Sequence, residues 1–211
     1  MDIHLSEEEQ VEALKKWWKE NGISVAAGVV IGLGGVFGWQ YWNKHQDQVA
    51  EEASYQFEQL NTSVAAGLNE PALKQAEVLI GSYQDSSYAI FAALDAAKVM
   101  LEQGNSAGAQ GHLQWAMDNA EDPSLKQTAR LRLARVMLGN GDTDGAEGVL
   151  AQAPMDGYQG EVAELRGDIA LAKGDQAGAR AAYQQALDNQ VGSSALVRMK
   201  LNDLAVTAND S

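Results

Sequence analysis

Between Asn21 and Asn43 the chain carries no charged side chain, and this run constrains the molecule more than any other feature. Its apolar core, Ile23 to Trp42, would reach about 30 Å as a helix rising ~1.5 Å per residue, the thickness of a bilayer's hydrocarbon. Ile23, Val25, Val29, Val30, Ile31, Leu33, Val36 and Phe37 each favour insertion by roughly 0.3–0.6 kcal/mol, whereas one central lysine would oppose it by about 2.5–3.5 kcal/mol. Five glycines and Ser24 weaken that sum but add no charge. A cleavable signal peptide has a shorter apolar region, about 7–15 residues, and ends in small residues. This run ends instead in Trp39, Gln40, Tyr41 and Trp42, which predicts an uncleaved anchor. Trp17 and Trp18 before the run, and Trp39, Tyr41 and Trp42 at its end, suit the headgroup level.

Lysine placement sets the orientation. Lys15, Lys16 and Lys19 precede the run, while residues 43–62 hold only Lys44, so the N-terminus is expected in the cytoplasm. The sequence thus predicts a cytoplasmic segment 1–21, a transmembrane helix 22–43 and, across the membrane, a domain 44–211, which in a bacterial inner membrane is periplasmic. Ser6 and Glu9 form a capping-box pattern at the head of an amphipathic helix over 6–20. Whether that helix lies on the inner leaflet or continues into the span stays open at this level.

The net charge of -14 makes nucleic acid and anionic headgroups poor partners for the soluble part. Residues 43–211 alone carry twelve Lys plus Arg against twenty-three Asp plus Glu. The absence of cysteine excludes disulfides, thiolate catalysis and cysteine metal sites.

Beyond the span, Ala, Leu, Gln and Glu recur at helical spacing and strand signals are nearly absent, which predicts an all-α fold. Three segments repeat one pattern. Gly104-Asn105 is followed by Ala109, Leu113 and Ala116; Gly141-Asp142 by Ala146, Leu150 and Ala153; Gly174-Asp175 by Ala179, Tyr183 and Ala186. The copies lie 37 and 33 residues apart, near the ~34-residue tetratricopeptide period. Glycine suits a left-handed cap at the end of one helix, and the next Asn or Asp suits the turn. Ala97, Ala134 and Gly167 keep the first helices small where the second ones approach. A fourth, degenerate copy surrounds Gly67, with Pro71 starting the next helix, and Ser194 to Val206 reads as a closing helix. The expected architecture is one N-terminal transmembrane helix followed by a tetratricopeptide-like solenoid of helical hairpins.

No catalytic constellation stands out. His4, His45 and His112 lack paired zinc-ligand spacing, and no nucleophile elbow or phosphate loop occurs. The expectation is a non-enzyme without metal, cofactor or small-molecule substrate. Tetratricopeptide first helices line a groove, and their positions fall here on Phe91, Leu94, Lys98, Leu131, Arg135, Glu164, Asp168 and Leu171. Apolar anchors with charges of both signs suit a peptide or helix, although buried leucine is the ordinary reading of Leu94, Leu131 and Leu171. In the span, Gly28, Gly32, Gly35 and Trp39 share one face suited to packing against another membrane helix. Glycine is also simply common in such helices.

The stretches QVEALKKWWKENG (10–22), GWQYWNKHQ (38–46), LRLARV (131–136), RGDIALAKGDQAGARAAY (166–183) and MKLNDLAV (199–206) resemble the YfgM-type ancillary subunits of the bacterial SecYEG translocon. The likeness runs nearly end to end. It implies a cytoplasmic N-terminus and a periplasmic tetratricopeptide-like domain. As partners it implies the SecYEG translocon and a membrane-anchored periplasmic chaperone of the PpiD type. On that footing the chain would be a scaffold that helps pass secreted proteins from the channel to chaperones. The alternative is a regulator of an envelope stress response acting through its cytoplasmic segment.

Overall fold

The computed structural model describes the backbone of residues 7–152 and 157–209, and side chains over 9–152 and 157–204. Ser6 of the capping-box pattern, His4 and Ala153 lie outside the described residues. Among the described residues there are nine helices and no strand: α1 Glu7–Ala65, α2 Asn69–Ser82, α3 Ser87–Glu102, α4 Ser106–Asn119, α5 Pro123–Gly139, α6 Thr143–Ala151, α7 Gln159–Ala172, α8 Gln176–Asp188 and α9 Ser194–Asn209. They divide into two compact units, Met1–Glu51 and Glu52–Ser211.

In the first unit the amphipathic segment runs into the apolar run as one helix, α1, which answers the question left open by the sequence. The apolar side chains are not the core of anything. Ile23 is 87% exposed and Ile31 74%, so the run is not the buried central helix of a water-soluble fold.

The second unit is a stack of helix pairs. Its core is a string of four clusters, each binding one pair to the next, as expected where every repeat touches only its neighbours. The turns repeat the same chemistry. At Gly104, Gly141 and Gly174 the φ angle is +75°, +83° and +81°, a conformation nearly free for glycine and costly with a Cβ. The amide of the following residue donates back to Met100, Met137 and Ala170 at 2.8, 3.0 and 2.9 Å. The glycine amide donates to Leu101, Leu138 and Leu171, so two stranded carbonyls are satisfied at each helix end.

Asn105, Asp142 and Asp175 then cap the next helix rather than serving the turn alone. Each side chain accepts from the amide three residues on, at Gly108, Gly145 and Gly178, at 2.9, 2.9 and 2.8 Å. The glycine at that third position, common to all three copies, accommodates the cap, because a Cβ there would collide with the capping side chain. The residues on the inward face of the second helices, Ala109, Leu113 and Ala116, then Ala146 and Leu150, then Ala179, Tyr183 and Ala186, are buried.

The degenerate copy at Gly67 has the same geometry, with φ +69° and an amide return from Leu68 to Ser63 at 2.9 Å. Ala72, Ala76 and Leu79 occupy the three inward positions, all buried. Their large and small members are exchanged relative to the other copies, which is why the Ala-Leu-Ala pattern does not pick them out. Closing the stack, α9 buries Val197 and Leu204 against the α8 pair.

A candidate protein-binding cleft

Helices α3 and α5 are the first members of successive pairs, and between their C-terminal halves lies an open cleft of about 360 Å³. Leu94, Ala97 and Leu101 line it from α3, Val136 from α5, and Leu113 of α4 closes its base. Lys98, Glu102, Arg132 and Arg135 stand around this apolar surface. The side chains of Lys98 and Glu102 form a loose, well-exposed pair at 3.9 Å. Burial raises the pKa of half-buried Asp95 above its ordinary value, against the opposing pull of the Lys98 and Arg132 charges. Three of the residues that tetratricopeptide spacing selects, Leu94, Lys98 and Arg135, therefore meet here. Arg132, Leu101 and Val136 were not selected, because the consensus positions follow one line along each helix while the cleft takes residues from both sides of it.

The other selected residues lie elsewhere. Phe91 sits on α3 beside Phe57 of α1, ring centroids 5.8 Å apart, and Phe57 also meets Tyr88 at 5.6 Å. Leu131 is buried among Val162, Leu165 and Ile169, an ordinary core position between α5 and α7. Leu171 is exposed at the end of α7.

Glu164 and Asp168 are engaged by the chain itself. The Lys200 ammonium of α9 donates to Glu164 at 3.0 Å and to both oxygens of Asp168 at 2.7 and 2.9 Å. Ser193 donates its hydroxyl to the other oxygen of Glu164. Tyr183 donates to Asp168 at 2.7 Å, and Lys200 stands 5.5 Å from the Tyr183 ring centroid. Burial first, and then the Asp168 and Glu164 carboxylates, push the Tyr183 phenol far above its usual pKa, so it stays a donor. Charge pairing with α9 thus holds the last helix on the stack. Its signal is invisible locally, since Lys200 lies 36 and 32 residues from its partners.

In the first unit, Gly28, Gly32, Gly35 and Trp39 line one side of α1, and a Cβ added at any of the three glycines would meet nothing within 4 Å. Trp39 is exposed.

The profile of the tetratricopeptide repeat-like domain family matches residues 15–206, which takes in both units. A protein of Haemophilus influenzae named ancillary SecYEG translocon subunit is 36% identical over 208 residues, covering 97% of this chain and 100% of that one. The Escherichia coli protein of that name is 34% identical over 208 residues, covering 98% and 100%, and that of Aggregatibacter actinomycetemcomitans 35% over 205, covering 97% and 100%. The chain belongs to the ancillary SecYEG translocon subunit family. Among solved structures, a thermophilic TPR protein of Thermus thermophilus matches with a TM-score of 0.55 at 20% identity, covering 73% of this chain and 81% of that one. That likeness speaks for the helix-pair fold alone.

Proposed function

We propose that this chain is a membrane-anchored protein-binding scaffold associated with the SecYEG translocon of the inner membrane. The observation that carries this reading is the end-to-end identity of 34–36% with three relatives named for that assembly. Residues 1–21 are the cytoplasmic segment, 22–43 the span and 44–211 the periplasmic domain. The exposed apolar side chains of α1 support the span. Left in water they would form a contiguous exposed apolar surface of the kind soluble monomers avoid, and hydrocarbon removes that cost. Lys15, Lys16 and Lys19 against Lys44 support the orientation.

The mechanism is positional. A span beside the channel raises the effective concentration of the repeat domain near emerging chains, so each binding step works while weak. The repeat domain then helps pass secreted proteins to periplasmic chaperones, a membrane-anchored one of the PpiD type among them. Gly28, Gly32, Gly35 and Trp39 are the face that packs on a membrane partner.

Tagged full-length chain, purified in mild detergent from its own host, should bring SecY, SecE and SecG with it. Replacing residues 22–43 with an unrelated apolar helix, or Gly28 and Gly32 with isoleucine, should reduce that recovery. Release of the chain by carbonate washing, or the absence of translocon subunits from the purified material, would refute the reading.

A further inference from the structure

Helix α5 is electrically unlike the rest of the molecule. Over Pro123–Gly139 it carries Lys126, Arg130, Arg132 and Arg135 and no acidic residue, within a chain whose net charge is -14. Both lysines of the later repeats are matched: Lys173 is held by Asp144 and Glu147 at 2.8 and 2.6 Å, and Lys200 by Glu164 and Asp168. Among the described residues, none of the four α5 cations has an ion-pair partner within 4 Å. Arg130 is buried and its guanidinium donates to the neutral amide oxygen of Gln127 at 2.8 Å. Arg132 and Arg135 are exposed and stand beside the apolar cleft against α3. Half-buried Asp95 lies close enough to Arg132 to feel its charge, and Glu102 is the one carboxylate lining the cleft, against the three cations Lys98, Arg132 and Arg135.

Surplus positive charge on an acidic protein, placed around an apolar surface, selects a ligand that supplies both of the missing terms. It must bury an apolar side chain on Leu101, Val136 and the Leu113 base, and bring carboxylates within reach of two planar guanidinium groups. A volume of about 360 Å³ accepts a leucine or phenylalanine side chain with its flanking backbone. Nucleic acid and anionic lipid offer negative charge, but their extended surfaces would also meet the acidic remainder of the domain.

We propose that the α3–α5 cleft binds an acidic peptide segment of a partner protein, an apolar side chain seated on Leu101 and Val136 and adjacent Asp or Glu side chains paired with Arg132 and Arg135. This rests on the scaffold reading above and names the chemistry of its partner.

The test uses the full-length chain in detergent micelles and two fluorescein-labelled, C-terminally amidated peptides. One alternates Leu and Phe with Asp and Glu; the other carries Asn and Gln in place of the acids. Fluorescence anisotropy at 50 mM salt should give at least ~10-fold tighter binding of the acidic peptide, an advantage that shrinks as salt rises. Arg132→Glu with Arg135→Glu should remove that advantage, and the milder Arg132→Gln with Arg135→Gln most of it, while Lys74→Glu on α2 leaves it unchanged. Leu101→Ser should weaken both peptides alike. Equal binding of the two peptides, or indifference of the acidic one to both arginine pairs, would overturn the proposal. So would concentration-dependent self-association abolished by the same arginine changes, which would assign the cleft to a second copy of this chain. Translocon recovery by the arginine variants separates the two levels. If it persists while the peptide result fails, the cleft assignment falls and the scaffold stands; if translocon subunits are never recovered, the scaffold reading is the one that fails.

Discussion

Gly167→Ala should destabilise the repeat domain even though alanine is the better helix former. A Cβ on Gly167 would overlap Cδ1 and Cε1 of Tyr183 and lie 3.1 Å from its Cζ. The ring has no easy retreat: it is fully buried, its hydroxyl is tied to Asp168 at 2.7 Å and Lys200 stands over its face. Overpacking of this kind costs about 1–3 kcal/mol, and replacing a mid-helix glycine by alanine returns about 1 kcal/mol, so the net loss is up to about 2 kcal/mol. At about 2–4 °C per kcal/mol for a chain of this size, the midpoint should fall by up to ~8 °C. The other repeats supply the control. Ala97 shares a core cluster with Leu113, and Ala134 with Leu150, so alanine is accepted where the second helix presents leucine. Tyr183→Leu alone should cost more, through lost packing and a lost bond to Asp168. In the Tyr183→Leu background, however, Gly167→Ala should become neutral or stabilising. Thermal and urea unfolding of the four full-length variants, followed by circular dichroism in detergent, gives the coupling as a double-mutant cycle. If Gly167→Ala costs the same in both backgrounds, or stabilises the Tyr183 protein, the close-approach argument is wrong.

Lys200→Met should free α9. It leaves Glu164, whose side chain is 7% exposed, with Ser193 as its one remaining side-chain donor among the described residues, and should cost about 2–4 kcal/mol. Faster amide exchange in α9, partly reversed by adding Glu164→Gln and Asp168→Asn, is the expected readout; unchanged α9 exchange would count against the pairing. His112 adds a pH dependence. Burial, outweighing the nearby Glu77 charge, holds its pKa below the ordinary 6.5, so the folded state binds fewer protons than the unfolded state and stability falls as pH drops through 6.5 toward the folded value. His112→Gln should flatten that part of the stability curve between pH 7 and 5, and parallel curves for both proteins would exclude the imidazole as the cause.

Much of the fold was legible because its determinants are local. A glycine at a helix end, an Asn or Asp beside it, and inward positions at helical spacing operate within one pair of helices, so they recur in the chain at a fixed period. Reading the second turn residue as a turn former understated it: Asn105, Asp142 and Asp175 are N-caps, and the glycine three residues later in each copy was the available clue. The Gly67 copy matches in geometry but exchanges Ala and Leu at its inward positions, because a core conserves volume across neighbours rather than residue order. At the candidate cleft, the four cations of α5 without an acid were visible in the chain. That Arg132 and Arg135 face Leu101 and Leu113 was not.

What the sequence determined by itself is whatever depends on a single segment and its solvent. An uncharged run long enough to cross hydrocarbon, the lysine asymmetry beside it, the helical periodicity and the capped turns all follow from residues within about 20 positions of one another. Tertiary structure alone decided which side chains from distant pairs share a space. It set Gly167 under Tyr183, gave Glu164 and Asp168 to Lys200, and left Arg132 and Arg135 beside an open apolar cleft. The physical reason is that packing and ion pairing are sums over neighbours in space, and the stacking angle between helix pairs, which selects those neighbours, is not written in any one helix.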